Sequence, residues 1–82
     1  MFRSIYARTT THSSANHASW REAEAAGRAA VRAGHALRVD VYRVAPGGRH
    51  TLAATIRTDH TGRVWADLTA LGARALATEE AS

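Results

Sequence analysis

Eighty-two residues, a formal charge of +4, eleven cations that are all arginine, and no cysteine set the first limits. A chain of this length makes one small domain whose core confers only marginal stability alone, so self-association is open from the start. Without cysteine there is no disulfide framework, thiolate nucleophile or Cys-based metal site, and no apolar run approaches the roughly 20 residues of a membrane span.

Arginine as the sole cation, beside abundant alanine, is what high-GC bacterial coding sequences produce. It is therefore weak evidence for phosphate recognition, although arginine is the better phosphate ligand. The positive balance favours an acidic partner over a basic one. The opening M-F-R-S-I-Y-A-R has no apolar region behind its charges and does not read as a secretory signal. The expected location is the cytoplasm, with no membrane association.

Residues 2–10 (F-R-S-I-Y-A-R-T-T) are rich in β-formers and predict a strand at a sheet edge. Residues 11–18 (T-H-S-S-A-N-H-A) predict a polar loop. A helix over 20–33 has the clearest signature in the chain. Ser19 and Glu22 form a capping box, in which the Ser19 hydroxyl accepts from the Glu22 N–H and the Glu22 carboxylate reaches back to the Ser19 N–H. Trp20, Ala23, Gly27, Ala30 and Val31 then fall on one apolar stripe. Arg21, Glu24, Arg28 and Arg32 lie opposite, with Glu24 and Arg28 spaced as an i,i+4 ion pair. Gly34 supplies the left-handed stop.

Residues 37–68 predict a three-stranded antiparallel meander. Leu37, Val39, Val41, Leu52, Ala54, Ile56, Val64, Ala66 and Leu68 alternate onto one aliphatic face, which the helix covers. Pro46-Gly47 suits the centre of a type II turn, and Asp59-His60-Thr61-Gly62 makes the second turn. The opposite face carries Arg38, Tyr42, Thr51, Thr55, Arg57, Arg63 and Trp65. Residues 69–82 predict a weak helix capped by Thr69, with a frayed tail. Gly72 weakens it, and Glu79 and Glu80 sit at the wrong end for its macrodipole. The fold class is α+β: one small domain in β-α-β-β-β-α order, its meander packed on one helix.

From helix to helix, the order helix–strand–strand–strand–helix is similar to that of double-stranded-RNA-binding domains. Those domains contact phosphates through a basic first turn of the last helix. Here that turn carries only Arg74, and order alone carries no function.

The chemistry points away from catalysis. No nucleophile elbow, P-loop or paired-carboxylate motif occurs, and Gly47-Gly48 lacks the Lys-Ser/Thr and the helix of a phosphate cradle. His12, His17, His35, His50 and His60 show no ligand spacing for zinc. The expectation is a non-enzymatic protein with no cofactor and no metal. The candidate binding residues are Arg38, Tyr42, Arg57, Arg63 and Trp65. Stacking aromatics among arginines suit a nucleic acid and imply a regulatory binding module. The same residue types carry protein interfaces, so the alternative is an interaction module with an acidic protein partner or a second copy: an inhibitor, an antitoxin-like partner or an accessory subunit. The plain reading is a solvated sheet face whose aromatics pack on the second helix or the first strand.

Overall fold

The computed structural model describes residues 1–8 and 11–81. Its elements are β1 (Phe2–Ala7), β2 (His12–His17), α1 (Trp20–Arg32), β3 (Arg38–Val44), β4 (His50–Thr58), β5 (Val64–Leu68) and α2 (Ala70–Glu80). The strands form one antiparallel sheet in the order β2-β1-β3-β4-β5. The expected class and the order β-α-β-β-β-α stand, with one strand added.

The added strand corrects two expectations. Residues 12–17 are paired along their length to β1, from Ala7↔His12 to Phe2↔His17, rather than forming a loop. The first strand consequently lies inside the sheet, between β2 and β3, rather than at its edge. The H-S-S-A-N-H segment has little intrinsic β preference. It pairs because β1 otherwise leaves a row of N–H and C=O groups unsatisfied, which outweighs propensity. Thr9 and Thr10, the last residues of the expected first strand, lie outside the described residues, as does Ser82 of the expected tail.

Both helix starts follow from their caps. In α1 the Ser19 side chain accepts from the Glu22 N–H at 3.2 Å. The Glu22 carboxylate, however, accepts from the Ala18 N–H at 3.1 Å rather than from that of Ser19. The helix ends at Ala33, followed by Gly34 at φ 78°. In α2 the Thr69 hydroxyl accepts from the Gly72 N–H at 3.2 Å.

The two hairpin turns share one design. Gly48 N–H donates to Ala45 O (2.8 Å), and Ala45 N–H to Arg49 O (2.9 Å). Likewise Gly62 N–H donates to Asp59 O (3.0 Å), and Asp59 N–H to Arg63 O (2.9 Å). In each turn the fourth residue is the left-handed glycine, Gly48 at φ 84° and Gly62 at φ 83°. Gly47 does not have positive φ, so the first turn is not the expected type II turn. The geometry is a tight turn closed by a glycine bulge.

A β-bulge in β4 sets the remaining geometry. Val41 pairs with Ala54 and Tyr42 with Leu52, leaving Ala53 without an opposite residue. Side chains N-terminal to the bulge exchange faces, because alternation has period two. Leu52 moves from the expected core face to the open face and is exposed.

The core lies between the sheet and both helices. Trp20, Ala23, Gly27 and Val31 of α1 meet Phe2, Val39, Val41, Ala54 and Ile56 of the sheet, with Ala36 closing the end. Leu71, Ala75 and Leu76 of α2 pack on the same cluster. Phe2 and Trp20 pack edge-to-face at 6.0 Å. Three expected core leucines are not in it. Leu37 precedes β3 and is 66% exposed, its place taken by Ala36, while Leu52 and Leu68 are each 37% exposed. Among the described residues, no helix is long and apolar enough to cross a membrane.

Candidate functional site

The two helices cover one face of the sheet and leave the other uncovered by any described element. Directly opposed residues on that open face form three rows across the strands. The first runs His12–Ala7–Arg38–Arg57–Trp65, the second Ser14–Ile5–Asp40–Thr55–Asp67, and the third Asn16–Arg3–Tyr42–Leu52. Opposed side chains stand roughly 5 Å apart, and successive rows about 7 Å apart.

Three of the five predicted residues therefore stand together. Arg38, Arg57 and Trp65 occupy consecutive positions of the first row. The Arg57 guanidinium lies over the Trp65 ring at 5.4 Å from its centroid, and the ring is 40% exposed. Trp65 does not pack on α2, which lies on the other side of the sheet. Arg63 follows in the turn. The Asp59–Arg63 bond extends the β4–β5 ladder by one pair, and two-residue alternation puts Arg63 on the face of Trp65. Tyr42 stands apart, two rows from Trp65. It is half-buried and edge-on to His50 at 6.3 Å.

Between these groups runs a row with two carboxylates, Asp40 and Asp67, which alternate with the arginine and tryptophan positions along β3 and β5. Asp40 pairs with Arg38 at 3.5 Å and accepts from the Thr55 hydroxyl at 3.2 Å. Asp67 lies 3.8 Å from the Arg57 guanidinium. All these groups are wholly or partly exposed, so each pair contributes only about 0–1 kcal/mol. Their effect is positional. Arg38 and Arg57 face each other directly, an unfavourable like-charge pair, and each leans toward a neighbouring carboxylate. The face is thus basic at the Arg38–Arg57–Arg63 end and mixed in its middle.

Arg3 and Leu52 also belong to this face. Arg3 opposes Tyr42 and donates to the Ser14 hydroxyl at 3.1 Å. Recognising Arg3 would have required knowing that β1 pairs with β3. Leu52 reaches the face only through the bulge, which no local signal marked. Thr51, expected here, is shifted to the helix side by the same bulge.

At the turn beside Arg63, the Asp59 carboxylate accepts from the Thr61 hydroxyl (2.6 Å) and from the N–H groups of Thr61 (2.8 Å) and Arg63 (3.0 Å). The Thr61 hydroxyl bond, followed by the two N–H bonds and the Arg63 charge, holds its carboxyl below the usual 3.8. This is a rigid Asx-type turn that fixes where Arg63 leaves the chain. Among the described residues no group of three or more His, Asp or Glu side chains is placed to hold a metal ion. No protein-family model matches the chain, and no significant match to it is found among curated proteins or solved structures.

Proposed function

We propose that the open face binds a single-stranded nucleic acid. The observation that carries this reading is the row Arg38–Arg57–Trp65. Two guanidiniums that oppose each other, one paired with the half-buried Asp40 and the other with the exposed Asp67 at 3.5 and 3.8 Å, form a receptor for a phosphate, which relieves their repulsion through charge-assisted hydrogen bonds. The adjoining exposed indole offers a stacking surface for a base. A sheet face without a covering element admits an extended strand lying across it, and Arg63 adds a further cation beyond Trp65. The protein acts as a non-enzymatic binding module, regulatory in the sense that occupancy is its output.

The test is fluorescence anisotropy of a labelled single-stranded oligonucleotide. Two or three phosphate contacts imply that log K falls with log salt at a slope of about −1.4 to −2. Arg38→Ala with Arg57→Ala should flatten that slope, and Trp65→Ala should weaken binding at every salt concentration. Absence of binding at low salt, or binding indifferent to salt, overturns the reading.

The alternation of Arg38 with Asp40 and of Arg57 with Asp67 favours a second reading. A face of mixed sign bearing Trp65 and Leu52 is self-complementary and suits an interface between two copies. Sedimentation at two concentrations separates the two readings. A dimer that dissociates on Trp65→Ala, with no oligonucleotide binding, favours the second.

A further inference from the structure

A cleft lies on the opposite side of the sheet from the open face. The start of β1, the end of β3 and the flank of α2 enclose a cleft of about 360 Å3 lined by Phe2, Arg43, Leu71, Arg74, Ala75 and Glu79, together with Thr78. That size is near the lower end for small-molecule sites. Leu71, Arg74, Ala75 and Thr78 recur at helical spacing, so α2 presents one continuous wall. Phe2, Leu71 and Ala75 make the interior apolar. Arg43 points into it because β3 carries no bulge, and alternation places Arg43 on the helix side with Val39 and Val41.

The charges in the cleft are unequally committed. The Glu79 carboxylate accepts from both the Trp20 and the Arg21 N–H at the start of α1, where the helix dipole offsets its charge. The ion pairs of the described residues are Arg28–Glu24, Arg38–Asp40 and Arg57–Asp67. Arg43 and Arg74 belong to none of them, so both guanidiniums are available to an incoming anion. An apolar lining that also includes two arginines outside the ion pairs is the composition that holds a carboxylate by its head and an aliphatic body by burial.

We infer that the cleft between α2 and the β1/β3 end of the sheet binds a small amphipathic carboxylate, with Arg43 and Arg74 on the carboxylate and Phe2, Leu71 and Ala75 on the apolar body. This site is independent of the open face. The experiment is a ¹H–¹⁵N titration of the whole chain with octanoate, in parallel with 1-octanol. Saturable shifts are expected at Phe2, Leu71 and Ala75. Arg43→Gln and Arg74→Gln should each weaken octanoate by about tenfold, the loss of one charged hydrogen bond, whereas Trp65→Ala should leave it unchanged. Both arginines are exposed, so these variants retain the fold, which the spectrum itself reports. No saturable shift with octanoate, equal affinity for 1-octanol, or an undiminished affinity in both arginine variants overturns the assignment.

Discussion

Gly72 reads in isolation as a flaw in α2, since glycine costs a helix about 1 kcal/mol against alanine. The tertiary structure reverses that sign. A Cβ on Gly72 would stand 2.0 Å from the Ala53 carbonyl oxygen and 2.9 Å from its carbon, and backbone at the bulge cannot move aside. Gly72→Ala is therefore expected to destabilise the protein by about 1–3 kcal/mol, the range for overpacking, measured by urea or thermal unfolding. A gain in stability would contradict this packing. Gly27 differs: its Cβ would meet the flexible Cδ1 of Ile56 at 2.6 Å, so Gly27→Ala is expected to cost less. Asp59 gives a second residue-scale prediction. Its carboxyl titrates lower in the folded state than in the unfolded chain. The stability it contributes is therefore present above the unfolded value of 3.8 and is lost as pH falls through the lowered folded value. Melting temperatures followed from about pH 5 to about pH 2 should fall less steeply in Asp59→Asn, which keeps an oxygen acceptor without the titration.

At the scale of elements, α2 is held by features that its own sequence does not advertise. Its capping residue Thr69 donates its hydroxyl to Leu52 O (2.8 Å) and Ala53 O (3.1 Å), and its N–H to Ala53 O (2.9 Å). The bulge in β4 thus presents the carbonyls on which the helix begins. At the other end, Glu79 looks misplaced on its own helix. It serves α1 instead, where two otherwise unsatisfied N–H groups meet its carboxylate. Glu79→Ala is expected to cost about 1 kcal/mol, as loss of a charged helix cap does, a drop of roughly 4–8 °C in melting temperature for a domain this size. Added salt should shrink the difference. Glu80→Ala, at an exposed position, should change nothing measurable; an equal effect from the two substitutions would remove the special role of Glu79. The Ser19 cap of α1 and the i,i+4 pair Glu24–Arg28, 3.7 Å apart, were legible because they act within one turn or two. The bulge, the docking of Thr69 and the reach of Glu79 across 59 residues to Trp20 were not, because each depends on a distant segment.

For the whole molecule the decisive fact is that both helices share one side of the sheet. The Cα radius of gyration, 12.2 Å, matches the roughly 12 Å of a single compact body of this length. Within it, a five-stranded sheet buries one face and leaves the other open. Arg38, Arg57 and Trp65 were identifiable as residues of one face because side chains alternate with a two-residue period, whereas their standing in one row, apart from Tyr42, is set by the strand register. That Arg3 joins the face and that Leu52 turns onto it depend on strand pairing and on one extra residue in β4. The chain by itself determined the elements whose causes are local: the capped helix with its glycine stop, the alternation of β3 and β5, and the places of the two turns. Only the tertiary structure decided that a polar segment after β1 becomes a strand, that Leu37, Leu52 and Leu68 leave the core, and that α2 packs beside α1 rather than over Trp65. The physical reason is the same in each case. Unsatisfied backbone groups and unburied apolar surface find partners wherever the assembled sheet offers them, at sequence separations over which propensity and periodicity carry no information.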